Sequence, residues 1–376
     1  MADTFRVTYR LTLSDGESPE ERIRTIQLEQ SAELPEEVVR AMDIDRVTGS
    51  VIHQESEDDN HVLVTISWPS QNHGNEITQF LNILFGNISL KQGIAITNIC
   101  WEDVSPDLFK GPAWGISRIR KEWDIPSRAL SCTALKPLGY TSRQLSDLAY
   151  RFALGGMDII KDDHGITQQQ TAPFRERVTA CVSAVERAAQ KTGRRSHYFP
   201  NITSEPHLVP ERYEIAADLG ADGVLFSPML AGPALMHYLA RSATDLPIMA
   251  HPAFSGTMVA YDPAAKDGLG KHGFAAGLLY GGLWRALGAD FVIYPNAGGR
   301  FSYTPEMCNS INYEARRPDS PFAPCFPTPG GGMQKDKMVR WLDNYGHQTT
   351  FLIGGSLYEN PEEIESTSKT FMQALL

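Results

Sequence analysis

The chain lacks any apolar run approaching the roughly 18 residues that cross a bilayer as a helix, so no membrane partner is expected. Cysteine is scarce: Cys100, Cys132, Cys181, Cys308 and Cys325 stand singly, with no C-x-x-C pair. That distribution argues against a disulfide framework or a zinc cluster and suits reduced thiols. Basic charge is short as well, with 34 Lys and Arg against 45 Asp and Glu and a formal net charge of −11. Phosphate backbones select basic surfaces, so nucleic acid is not the expected partner. Small anions remain open, because backbone N–H groups bind phosphate even on acidic proteins. The opening MADTFRVTYRLTL alternates like a strand and has neither the basic start nor the apolar run of a signal peptide. Low-complexity tracts are absent. What remains is 376 residues, 42% apolar and 21% charged, an ordinary globular composition expected in the cytoplasm and long enough for two domains.

Beyond residue 128, short apolar runs alternate with longer amphipathic segments. The runs cover 129–135, 156–163, 196–202, 223–228, 247–253, 291–296, 322–328 and 349–356. Helical patterns lie near 142–154, 173–192, 207–219, 231–242, 268–287, 304–316, 333–345 and 361–375. Segment 173–192 illustrates the signals: Pro173 suits a helix start, Val178, Val182 and Val185 recur at helical spacing, and Gly193 follows as a stop. Eight strand–helix units over about 250 residues predict a (β/α)8 TIM barrel rather than an open doubly wound sheet. The first 125 residues read differently, as a small α+β, ferredoxin-like domain. Strand patterns at 5–13, 46–55, 61–67 and 94–101 flank helical ones at 19–30 and 75–85. The expected division is therefore 1–125 and 126–376, with 108–128 as the connection.

Barrel chemistry sits where strands end. The second run, in GGMDIIKDDHG, closes on Lys161, Asp162, Asp163 and His164. Unpaired charges are poor core material, so a cluster there belongs at a water-accessible mouth, where carboxylate and imidazole could hold a divalent metal. Its competing reading is a solvated Lys–Asp pair. Lys136 ends the first run and is a candidate acid, base or electrophile; a lysine snorkelling from the rim would look the same. Asn201 ends the third run and His251 the fifth, where it is either a substrate-facing or a structural histidine. Arg300, on the loop after the sixth, suits a phosphate or carboxylate, or simply solvent. Gly331 and Gly332 follow the seventh run, Gly354 and Gly355 the eighth. Adjacent glycine loops there can present N–H groups to a phosphate, although turns need glycine anyway.

Taken together these motifs resemble the RuBisCO large subunit, and more closely the RuBisCO-like proteins that fix no carbon dioxide. FKGPAWGI (109–116), CTALKPLGYT (132–141), GGMDIIKDDHG, HYFPNIT (197–203), IMAHPAFSG (248–256), the triple glycine and IGGSL (353–357) occur in the family's order. The resemblance implies that Lys161 takes up CO2 as a carbamate and, with Asp163 and the next residue, binds Mg2+. It implies an enolisation: a substrate carbonyl is polarised and a neighbouring proton removed. It also implies that Glu29 and Asn87 reach into the site of a neighbouring subunit. Several departures qualify this. His164 stands where the family's third ligand is Glu. KPLG lacks the second lysine of the carboxylase's KPKLG, and Pro252 stands where the carboxylase has a phosphate-binding Arg. PNAGGRF replaces the mobile loop with its catalytic lysine, and Asn87 stands where methionine-salvage enolases carry a lysine base.

The expectation is a homodimeric, Mg2+-dependent enolising enzyme acting on a phosphorylated small molecule with one phosphate, without net carboxylation. Lys136, Lys161 and His251 would be catalytic; Lys161, Asp163 and His164 would bind metal; the four glycines, Asn201, Arg300, Glu29 and Asn87 would bind substrate. Isomerisation of a keto-sugar phosphate of the 5-methylthioribulose 1-phosphate type is expected first. Decarboxylation of a 3-oxo sugar-acid phosphate and a non-catalytic regulatory role are the alternatives.

Overall fold

The structure is a computed structural model describing residues 3–262, 265, 269–333 and 337–375. It contains two units. The first comprises Met1–Lys110, Ser255–Leu279 and Asp319–Pro321; the second comprises Gly111–Phe254, Tyr280–Pro318 and Phe322–Leu376.

In the first unit, strands β1 (Thr4–Thr12), β2 (Ser50–Ser56), β3 (His61–Pro69) and β4 (Ile94–Ile99) form an antiparallel sheet in the order β4-β1-β3-β2. Period-two alternation explains its one-sided burial. Phe5, Val7, Tyr9 and Leu11 of β1 are buried, and so are their cross-strand partners Trp68, Ile66, Val64 and Val62. Helix Pro19–Glu29 starts as its composition dictates. Ser18 accepts from the Glu21 N–H at 3.3 Å, proline sits in the first turn, and Ile23 and Ile26 are buried. Helix Ile77–Phe85 buries Phe80, Ile83 and Leu84. The six-residue helix Glu36–Ala41 is too short to register as periodicity.

The second unit contains strands β5 (Leu130–Leu135), β6 (Ile159–Asp162), β7 (His197–Phe199), β8 (Val224–Phe226) and β9 (Ile248–Ala250). After the first unit's short β10 (Gly273–Phe274), it continues with β11 (Phe291–Pro295), β12 (Phe326–Gly330) and β13 (Thr350–Leu352). Every one of the eight expected runs contains a parallel strand. They pair as β13-β5-β6-β7 and β8-β9-β11-β12. The Asn201–Leu225 bridge joins β7 to β8. On the other side Gly330 lies so near Leu352 that an added Cβ would come within 2.9 Å of it. The architecture is the (β/α)8 barrel that the strand–helix arithmetic predicts.

The expected helix over 268–287 is corrected. Gly273 and Phe274 instead pair in parallel with Ala95 and Ile96 of the first unit, and regular helical structure begins at Gly277. Gly273 at φ +113° is the physical reason, since that backbone conformation does not propagate a helix. Residue 268 of that segment and residues 334–336 of the expected 333–345 helix lie outside the described residues. The remainder of the latter forms helix Met338–Tyr345.

Leu130, Cys132, Ile159, Phe199, Leu225, Met249, Phe291, Ile293 and Phe326 fill the barrel. Below them, Ile116 and Ile119 of helix Gly115–Glu122 join the same core. That helix lies in the stretch expected as a connection. Asp290, fully buried, fastens it. One carboxylate oxygen accepts from the Trp114 and Gly115 N–H groups at 2.9 and 2.8 Å; the other accepts from the Ile248 N–H at 2.9 Å. Burial pushes the Asp290 pKa up to about 6, against the pull of those three N–H groups. Asp290→Ala is expected to cost about 2–4 kcal/mol, because three buried donors lose their acceptor. A raised folded-state pKa stabilises most below the unfolded value of about 3.9 and loses that contribution as pH rises through 6. The stability gap between wild type and Asp290→Ala should therefore widen as pH falls from 8 toward 4 in urea titrations; a gap independent of pH would refute the assignment.

Candidate active site at the carboxyl ends of the strands

Strand alternation sorts the charges of β6. Ile159 belongs to the barrel core, and Lys161, two residues on, is 1% exposed, with its Nζ 3.2 Å from the Asp162 carbonyl. Asp162 takes the opposite direction. Its Oδ2 accepts from Arg177 Nε on helix Phe174–Thr192 and from the Asn201 N–H, each at 3.0 Å. Its Oδ1 accepts from the Tyr198 hydroxyl at 2.7 Å. Arg177, also fully buried, donates to the carbonyls of Ala172 and Thr167 at 2.6 and 2.8 Å. This network pins both flanks of the segment that follows β6. The Asn201 side-chain amide completes it by donating to the His164 carbonyl at 2.9 Å, while its oxygen accepts from the Thr203 N–H. Asn201, expected to touch substrate, has its side-chain amide bonded to the backbone at His164 and Thr203.

Around this frame the structure brings together Lys136, Lys161, Asp163, His164 and His251. Lys136 Nζ donates to Asp163 Oδ2 at 2.7 Å. The Lys136 N–H donates to the Tyr358 hydroxyl, which in turn donates to the Ala134 carbonyl at 2.8 Å. His164 Nδ1 lies 3.5 Å from Asp163 Oδ1. The imidazoles of His164 and His251 stack, with centroids 4.5 Å apart and planes 13° from parallel. His251 Nδ1 accepts from the Ala253 N–H, which leaves Nε2 as the protonated nitrogen of the neutral ring.

These contacts shift the protonation equilibria in one coherent direction. Burial drives the Lys161 pKa below that of an ordinary lysine, and Lys136 adds to the effect. Burial alone would raise the Asp163 carboxyl, but His164, Lys161 and Lys136 outweigh it and hold the group well below the usual range. Burial, reinforced by Lys161 and His164, holds His251 well below an ordinary histidine. The cluster therefore sets a buried amine with a lowered pKa beside an ionised carboxylate.

The glycine loops adjoin each other at the rim. Ser356 Oγ donates to the Met333 carbonyl at 3.2 Å, tying the loop after β13 to the loop after β12. Gly332, at φ +99°, could not carry a side chain, because its Cβ would meet Gly299 Cα at 2.6 Å. Gly331 lies against the Phe301 ring, and the Arg300 guanidinium sits 5.3 Å over that ring. Glu29 and Asn87 lie in the first unit and meet there: Asn87 Nδ2 donates to Glu29 Oε1 at 3.2 Å, and Lys91 Nζ lies 3.6 Å from Glu29 Oε2.

Among the described residues, no group of three His, Cys, Asp or Glu side chains is arranged to hold a metal ion. The donor set fits a hard divalent cation once Lys161 supplies oxygen. A buried amine that gives up its proton readily is the form that adds to CO2, turning R–NH2 into R–NH–COO− with release of one proton. Asp163 and the His164 imidazole would be the further ligands beside it.

A parallel eight-stranded barrel with its titratable residues gathered at the strand carboxyl ends defines a barrel enzyme. The family profile "Ribulose bisphosphate carboxylase large chain, catalytic domain" matches residues 115–298. Ribulose bisphosphate carboxylase-like protein 1 of Rhodopseudomonas palustris is 35% identical over 372 residues, covering 99% of this chain and 97% of that one. The 5-methylthioribulose-1-phosphate isomerase of Rhodospirillum rubrum is 34% identical over 382 residues, covering 100% and 97%. The crystal structure of a Rubisco-like protein from Rhodopseudomonas palustris superposes with a TM-score of 0.86 at 32% identity, covering 100% and 98%. The chain belongs to the RuBisCO large-chain family and stands among its RuBisCO-like members.

Sequence reasoning missed Arg177, Tyr198 and Tyr358, and read Asp162 only as one charge of a cluster. The available signal was the alternation itself, which sends neighbouring carboxylates to opposite faces, and an arginine one turn into the next helix. Arg177→Leu strands Asp162 as a buried, uncompensated charge and should cost about 3–5 kcal/mol. Urea denaturation should register that loss, and amide exchange should accelerate across residues 163–173. Unchanged protection there would show that the network does not hold the segment.

Proposed function

We propose that the barrel mouth catalyses enolisation of a phosphorylated ketose with no net carboxylation, and that its reaction is an isomerisation of the 5-methylthioribulose 1-phosphate type. The observation that carries this reading is the convergence of a buried lysine, an ionised aspartate, a second lysine and two stacked histidines beside paired glycine loops. The isomerase relative, aligned along the whole chain, supports the choice of substrate class. The cofactor in this proposal is Mg2+, with CO2 for the carbamate. Bound Mg2+ would polarise the substrate carbonyl and lower the cost of negative charge developing beside it.

The chain's own groups supply the rest. Lys161, as carbamate, and Asp163 are the anionic ligands, and His164 offers a nitrogen. Lys136 carries a positive charge at the rim, where it steadies an enolate oxygen or moves a proton. His251, neutral with its proton on Nε2, donates to a substrate hydroxyl or carbonyl. Gly331, Gly332, Gly354 and Gly355 offer backbone N–H groups to the single phosphate, with Arg300 as a nearby cation. Asn201 acts by holding the His164 backbone. The proposed assembly is a cytoplasmic homodimer in which Glu29 and Asn87 serve the partner's site. Among the described residues, no helix is long and apolar enough to cross a membrane.

Incubated with 5-methylthioribulose 1-phosphate in deuterated water, the protein should exchange the proton next to the carbonyl, read by NMR. Lys161→Ala should lower that exchange by about a thousandfold or more while leaving the circular dichroism unchanged. With labelled bicarbonate, a carbamate carbon signal should appear in the wild type and vanish in Lys161→Ala. A wild type that exchanges no phosphorylated ketone, or a variant that keeps its rate, would defeat the proposal.

A further inference from the structure

Asp163 is a carboxylate that, in the reading above, both the cation and a lysine address. Its Oδ2 accepts from Lys136 Nζ at 2.7 Å, and its Oδ1 faces His164 Nδ1 at 3.5 Å. The Lys136 side chain is 34% exposed and the Asp163 side chain 22%. The pair is thus neither sealed nor fully screened, and its attraction is strong enough to matter yet reversible. The stem of Lys136 starts from a fixed point, because its backbone N–H is held by the Tyr358 hydroxyl. Its far end borders open space. Cε lies 3.9 Å from where a Gly354 Cβ would stand, so the missing side chain leaves the lysine unobstructed on the side of the β13 glycine loop.

We propose that Lys136 and the divalent cation compete for Asp163. A cation taking Oδ2 displaces the ammonium, which is then available to the anionic substrate on the side of Gly354. Cation binding and delivery of the lysine become one event. The Lys136–Asp163 bond acts as a latch that weakens cation affinity until both ligands are present. This inference rests on the enolisation reading above and adds to it a coupling between two of its residues.

The test measures Mn2+ affinity from the free-ion electron paramagnetic resonance signal, in saturating bicarbonate, for wild type, Lys136→Met and Lys136→Arg. Removing the competing charge should tighten Mn2+ binding about tenfold in Lys136→Met, equivalent to about 1.4 kcal/mol. Lys136→Arg, which keeps the charge, should stay within about twofold of wild type. Should the methionine variant fail to fold, Lys136→Gln serves in its place under the same criterion. Unchanged or weaker binding in the uncharged variant overturns the competition while leaving the cation reading standing. Absence of Mn2+ binding in wild type and variants alike overturns the cation reading and this inference with it.

Discussion

An ammonium group taken out of water loses solvation that no single neighbour restores, and the barrel mouth is built around one, at Lys161. Lys161 is buried to 1% exposure at the end of β6, where its Nζ donates to the Asp162 backbone carbonyl. The direct consequence is an amine that releases its proton more readily than a solvated lysine. Such an amine is a nucleophile held in place, and adding CO2 to it exchanges a suppressed cation for an anion. Asp163 complements this by staying ionised even though half-buried, because three nitrogenous neighbours surround it.

Alternation along one short strand provides both the site and its support. Lys161 and Asp163 share a direction, and Asp162 between them takes the other. There it meets Arg177, Tyr198 and the Asn201 backbone in a pair with no exposure on either side chain. A buried ion pair contributes little net stability against a well-packed apolar alternative. What it contributes here is position. Arg177 reaches the carbonyls of Thr167 and Ala172, and Asn201 reaches that of His164, so the segment after β6 is held at three carbonyls. The most charged stretch of the sequence thus divides into one half that faces the barrel mouth and one half that keeps the first in register.

The barrel was legible because its signals are repeated: eight apolar runs, each followed by an amphipathic segment, leave few alternatives. The β6 cluster was legible because charges rarely end an apolar strand without cause. Short or singular features were hidden. Helix Glu36–Ala41 has too few turns for periodicity. Helix Gly115–Glu122 is fastened by Asp290, a residue some 170 positions further along, and no local pattern announces such a partner. The strand at Gly273–Phe274 draws its pairing from β4 of the first unit, so the apolar character around it reads as helix until the sheet is seen. At Asn201 the strand end carries a polar side chain whose amide bonds to backbone. A polar side chain there faces either the substrate or the backbone of its neighbour, and the chain alone does not say which.

The glycines of the rim separate into two kinds, and the distinction bears on what binds there. Gly332 answers to the fold: its backbone lies in the left-handed region, and a Cβ would strike Gly299. Gly355 is under no such demand, with nothing within 4 Å of where its side chain would be and no positive φ. Gly354 would meet only the far carbon of Lys136, at ordinary contact distance. What the missing side chains leave is access to backbone N–H groups beside Lys136, an arrangement suited to an anion approaching close to the backbone.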